Sequence, residues 1–477
     1  IASVEDTAAE LQMPVLIEGY EPPTDSRLGR IAVTPDPGVV EVNIHPSDSF
    51  EEHARKLEIL HEEARKCGLT TEKFLHDGRR SGTGGGNHIT LGGPTPMESP
   101  FLQRPDLLRS LITYFQHHPA LSYFFSGQFI GATSQSPRID ETNPESLYEL
   151  AIAFSQLPRS AVPVPGDAAP WLVDRLLRNL LVDQMGNTHR AEISIDKLHS
   201  PDSLTGRLGI VEFRGFEMQY HAQMNSLQHL LMRALVAKFC KEPYRRAPME
   251  WGFMLRDQYR LPHFLWEDLR SIVSDLARAG YDFEESWFLP FLESRFPVYG
   301  TSQVEDCTIE LRQALEAWQV LGEEMSAVGT ARAVDSAVER LQVRVDHFHP
   351  ERYALLCNGR PVPLQATSHT GTYVAGVRFK AWNPPRTLHP SIPVNSPLFF
   401  NLYDRVRKSF VGGCTYHVFH PGGRSYDTSP VNEREAESRM LSRFFPGSPA
   451  PSEFALYEEN PEYPNTLDLR AGRLRDR

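Results

Sequence analysis

The chain has 477 residues, 40% hydrophobic and 23% charged, the make-up of a globular protein with roughly two to four domains at about 150 residues each. Its net charge of -12 excludes bulk attraction to nucleic acid or an anionic membrane, and no apolar run approaches membrane-spanning length. Five scattered cysteines, an odd number without a C-x-x-C pair, read as reduced thiols of a cytoplasmic protein.

The chain opens on Ile1 inside a predicted helix over 2–12, which reads as a piece of a longer protein. Residues 14–19 are a strand candidate. Two strands follow, 30–33 and 39–44, joined by the turn-forming run Thr34-Pro35-Asp36-Pro37-Gly38. On the second, Val39, Glu41 and Asn43 share a face. Ser49 with Glu52 has capping-box spacing and opens a helix that Gly68 ends.

The run Ser81-Gly82-Thr83-Gly84-Gly85-Gly86-Asn87-His88-Ile89-Thr90-Leu91 is a glycine-rich loop entering a strand. Glycine permits close backbone approach and positive φ. His88 and Thr90 point one way, Ile89 and Leu91 the other. Such a histidine is placed as a metal ligand or phosphate neighbour; the plainer alternative is a tight turn with a packed histidine. Pro105 opens the next helix. Residues 145–157 are of mixed character, 158–168 a proline-rich loop and 169–184 a helix.

Two further strands repeat the pattern. In residues 190–196, Arg190, Glu192, Ser194 and Asp196 share a face; in residues 209–214, Glu212 and Arg214 do. A helix over 222–240 follows. Four strands with an apolar face and a face of Glu, His, Arg or Asn fit any half-wet antiparallel sheet. These polar faces nevertheless carry metal- and phosphate-binding types. With the strands adjacent, Glu41, His88 and Glu212 make an oxygen/nitrogen site for Mg²⁺ or Mn²⁺, and Arg190 and Arg214 hold phosphate or carboxylate.

Residues 244–345 read mainly helical, with Ile309, Leu311, Leu315 and Trp318 as an apolar stripe. From Val343 the pattern turns to β: a hairpin at Asn358-Gly359, then strands over 372–382, 397–403 and 414–419, a small sandwich or barrel. A helix follows Asn432. The expected organisation is a core over 1–300, a helical connection over 301–342 and a β-rich domain over 343–477. Cys414, His417 and His420 stand at threes, but on a strand such residues face opposite ways, which argues against zinc. Cys414 has no base paired with it in sequence, and His117, His118, His347 and His349 read as a helix end and a connection.

The stretches Val33 to Asn43, Asp77-Gly78-Arg79 with Gly82 to His88, and Gly413-Cys414-Thr415-Tyr416-His417 resemble a bacterial family of amidoligases, formerly a domain of unknown function, usually fused behind a transglutaminase-like domain. More distantly, motifs within residues 37–240 resemble the glutamine synthetase / glutamate–cysteine ligase superfamily. The resemblance implies an α+β fold: an antiparallel sheet with one polar active-site face and helices on the other, plus a C-terminal β-rich domain. It implies ATP-dependent joining of a carboxylate, on a small molecule or peptide, to an amine through an acyl phosphate. By the same resemblance Glu41, His88 and Glu212 hold the metal, and Arg190 and Arg214 act on the phosphoryl group. Gly84, Gly85, Gly86, Asn87, Arg79 and Arg190 contact the nucleotide, with Glu192 a secondary candidate. Thr90 departs from the pattern, standing where a further histidine is common. Two alternatives stay open: a phosphotransferase on the same fold, and a non-catalytic peptide-binding module. The substrates and the oligomeric state stay open as well.

Overall fold

Ser49 Oγ accepts the Glu52 backbone N–H at 3.1 Å and starts the Phe50–Lys66 helix, as the capping spacing predicts; Gly68, at φ +73°, follows its end. The same local rules place the helices Ala2–Leu11, Pro105–His117, Ala222–Lys241 and Glu433–Leu441, the last capped by Asn432. A computed structural model describes residues 2–20, 31–36, 38–143, 145–158, 169–326, 329–423, 425–458 and 460–471. It is a mixed α+β structure with two main hydrophobic cores.

The first core lies under a three-stranded antiparallel sheet in the order Ile89–Leu91, Val211–Phe213, Ile193–Ser194. Register sets Thr90 and Ser194 beside Glu212, and Ile89 and Ile193 beside Phe213. The apolar side packs on helices: Phe213 stacks on Phe115 of Pro105–His117 at 5.7 Å between centroids. Three of the four polar-faced strands are therefore neighbours.

The fourth is not. Val39–Asn43 pairs with Ala32–Asp36 in a separate hairpin that carries no fully buried side chain among its described residues. Pro35 lacks an N–H to donate, which suits the hairpin to an edge rather than a sheet interior. The strand expected over 190–196 shrinks to Ile193–Ser194, because turns anchored on Asp183 and Asn187 occupy the preceding residues. Residues 14–19 form no strand, and 169–184 yields the helix Trp171–Leu177. Ser146–Gln156 is a helix, and nearly all of the loop expected over 158–168 lies outside the described residues.

The helical expectation for 301–342 is overturned. These residues form strands beginning at Val298–Val304 and Cys307–Gln313 and ending with Val338–Asp346. Cys307, Ile309 and Leu311 are buried at every second residue, a strand period that the wider spacing to Leu315 and Trp318 masks. The second core accordingly begins at Tyr299 and sits between a six-stranded and a five-stranded sheet, a sandwich. Its predicted hairpin is present, with Asn358 at φ +48° and Gly359 at φ +75°.

Candidate active site

Glu212 stands on the central strand of the three-stranded sheet with its side chain 8% exposed. His88 Nδ1 lies 3.2 Å from its Oε1, Arg214 donates to the same oxygen at 2.8 Å, and Lys197 Nζ donates to Oε2 at 3.4 Å. Burial alone would raise the Glu212 carboxyl; the His88 hydrogen bond and the Arg214 and Lys197 charges outweigh it and bring it down to about 2. Glu212 is thus a fixed negative charge among the Arg214 guanidinium, the Lys197 ammonium and the His88 imidazole, with Lys197 45% and His88 35% exposed.

The glycine-rich loop builds this arrangement. Gly84 takes φ +103°, and a Cβ on Gly86 would overlap the His88 ring, so a side chain there would push His88 off Glu212. The loop pairs on along the same strand: Asn87 N–H donates to the Phe216 carbonyl at 2.9 Å, and Met218 N–H to that of Gly85 at 3.0 Å.

The other expected residues are placed elsewhere. Glu41 is exposed on the separate hairpin and accepts a hydrogen bond from Asn43 at 2.8 Å. Arg79 is turned into a buried ion-pair network with Asp77 at 2.6 Å and Glu339 at 2.9 Å. Asn87 is buried and donates to Gln228 at 2.7 Å. Arg190 sits in the turn before the strand, its N–H donating to the Asn187 carbonyl. Glu192 turns inward, accepts from Ser122 at 2.6 Å, and is pushed up to about 7 by burial, against the pull of Arg138. The causes differ: the Glu41 strand is regular but pairs away from the sheet, Arg79 and Asn87 are taken up by buried partners, and Arg190 and Glu192 lie where the strand gives way to turns and alternation no longer names a face.

An Mg²⁺ or Mn²⁺ ion does not fit these residues as placed. Among the described residues no three His, Cys, Asp or Glu side chains gather as a metal site, Cys414, His417 and His420 included. The one carboxylate in the ring already faces two cations, Arg214 and Lys197, which repel a dication. An anion fits better: Arg214 Nε is buried and unpartnered, a spare donor beside the ring.

Lys197 is the residue that alternation misses. Counted from Ile193 it falls on the apolar face, but a turn begins at Asp196 and swings it round to Glu212. Its signal was scarcity, a lysine in an arginine-dominated chain, next to the acidic strand.

One charged carboxylate ringed by His, Lys and Arg beside a glycine-rich loop is a grouping that enzyme sites use and that a solvated sheet face does not require. More narrowly, the chain belongs to the family described as Putative amidoligase enzyme (DUF2126), whose model matches residues 1–470, and so to a family of the ligase class. No curated protein and no solved structure matches it. No helix among the described residues is long and apolar enough to cross a membrane.

Proposed function

We propose that this chain is an ATP-dependent carboxylate–amine ligase that forms an amide or isopeptide bond on a peptide or glutamate-like acid through an acyl phosphate. The Glu212 ring is the observation that carries it. Negative charge builds on the transferred phosphoryl oxygens, and preorganised cations at a fixed position are what that step needs. Arg214 and Lys197 supply them, Glu212 holds both in place, and His88 completes the ring against the glycine loop. The substrate carboxylate attacks the γ-phosphorus, and the amine then displaces phosphate from the acyl carbon. The charge on the transferred group falls to Arg214 and Lys197, since the residues at hand do not fit a metal. The glutamine synthetase-like arrangement is part of this proposal; an open sheet face with helices packed beneath supports it. So is a transglutaminase-like partner domain, which would place the substrate among peptides.

Calorimetric titration of ATP, with and without Mg²⁺, tests it. The wild type is expected to bind, and Lys197→Ala and Arg214→Met each to bind about tenfold more weakly, the loss of one charge-assisted contact. Absence of binding in the wild type, or affinity indifferent to both substitutions, refutes the assignment.

A further inference from the structure

The backbone alone holds the glycine-rich loop weakly. Gly86 pairs with Glu217, flanked by the bonds from Asn87 N–H to Phe216 and from Met218 N–H to Gly85. Ile89 pairs with Phe213, so one extra residue is taken up around Gly215, and Glu217 stands on the polar face opposite Gly86. The ladder is thus irregular where the loop enters it. Residues 84–86 are all glycine, the residue that loses most freedom on being ordered. Among the described residues, one side-chain hydrogen bond adds to the hold over residues 83–87: Asn87 Nδ2 donates to Gln228 Oε1 at 2.7 Å.

Gln228 lies inside the Ala222–Lys241 helix and is 0% exposed. The helix positions around it that face the core are largely apolar, Leu231, Met232 and Leu235 among them. Its own amide nitrogen is buried without a partner, which costs stability. An apolar side chain of the same size would fill the place without that cost, so what glutamine supplies is the bond to Asn87. Three residues earlier, Asn225, also 0% exposed, accepts the Gln219 N–H at 2.9 Å. One helix therefore grips both sides of the irregular ladder, the loop through Gln228 and the chain beyond Glu217 through Asn225. His88 follows Asn87 directly, and its Nδ1 lies 3.2 Å from Glu212.

We infer that Gln228 is a positioning residue of the site: through Asn87 it fixes the exit of the glycine-rich loop, and with it the His88 imidazole against Glu212. Its effect on ATP rests on the ligase reading above; its effect on His88 does not. Without the Gln228 acceptor, the Asn87 amide is left unpaired in a place only 5% exposed. It turns out toward water and carries the next residue with it.

The test follows the His88 ring Cε1–H signal by NMR, assigned with His88→Ala, alongside ATP titration. Gln228→Met keeps the shape of the side chain and removes the acceptor. It is expected to move the His88 signal and weaken ATP binding about tenfold. Gln228→Glu restores an acceptor and is expected to return both toward the wild type. The double variant Asn87→Ala with Gln228→Met is expected to bind ATP no more weakly than Asn87→Ala alone, because the two residues act in series. A His88 signal that stays in place in Gln228→Met, or a further loss in the double variant, overturns the proposal. Should Gln228→Met not fold, Asn87→Ala decides: an unmoved His88 signal there overturns the proposal as well. A wild type that binds no ATP removes the ligase reading instead, and the His88 signal alone then upholds or overturns the positioning role.

Discussion

At the scale of single residues, the site turns on a missing side chain. His88 reaches Glu212 because Gly86 presents no Cβ to its ring. Gly86→Ala is therefore expected to leave the fold in place but displace the imidazole, and to weaken ATP binding as much as His88→Ala does. Circular dichroism and ATP titration of the two variants check this; a Gly86→Ala protein that binds ATP like the wild type would show the His88 position to be immaterial. Glu212 shows how a fixed charge is made: its burial is outweighed by three neighbours, so it stays ionised far below neutral pH. Glu192, two residues from Ser194 in the same sheet, has the opposite balance because burial wins.

At the scale of elements, the Phe50–Lys66 and Ala222–Lys241 helices meet through histidines. The His53 and His229 rings lie against each other, centroids 3.8 Å apart and planes tilted by 40°, and His61 contacts Asn225 at 3.0 Å. Burial, with His53 and Arg233 adding to it, lowers His229 from 6.5 to about 3; burial, Lys56 and Arg233 lower His53, against Glu52. Folded-state values below the unfolded value mean that the unfolded chain takes up protons first as the pH falls. The helix pair is fully stable above about 6.5 and loses stability from there down toward 3. Thermal melts between pH 7.5 and 5 are expected to show a falling midpoint, flattened in His229→Phe, which keeps the ring and removes the proton site. A slope unchanged by the substitution would assign the acid sensitivity elsewhere.

At the scale of the whole molecule, the two cores are tied by buried charge. Asp77, 2% exposed, pairs with Arg79 at 2.6 Å and with the fully buried Arg443 at 3.1 Å; Arg79 reaches Glu339, and Arg443 donates to Tyr416. Arg439 donates to the His76 carbonyl at 2.7 Å, and Gly78 lies so close to the Ala436 carbonyl that a Cβ would overlap it. The segment that leads into the glycine-rich loop is thereby docked against the β-sandwich. Asp77→Ala leaves Arg443 short of its counter-charge in a dry interior and is expected to cost about 3 kcal/mol. Urea denaturation measures this, and a loss under about 1 kcal/mol would mean the network is hydrated.

What was legible in the sequence was local. The helix cap at Ser49, the helix after Asn432 and the Asn358-Gly359 turn depend on near neighbours in the chain and are found as read, and the family named from its motifs is the one whose model matches. His88 and Glu212 do meet, and Arg214 with them, because regular pairing of two short strands follows from alternation. Tertiary structure alone decided which strands became neighbours: Glu41 went to a separate hairpin, and Arg79 to the interface between the cores. It also decided where regularity breaks. The turn at Asp196 brought Lys197 to Glu212, and the extra residue near Gly215 put Glu217 on the same face. A period of two fixes a side chain's direction only until the backbone departs from the strand, and that departure is set by the packing of distant segments rather than by the residues themselves.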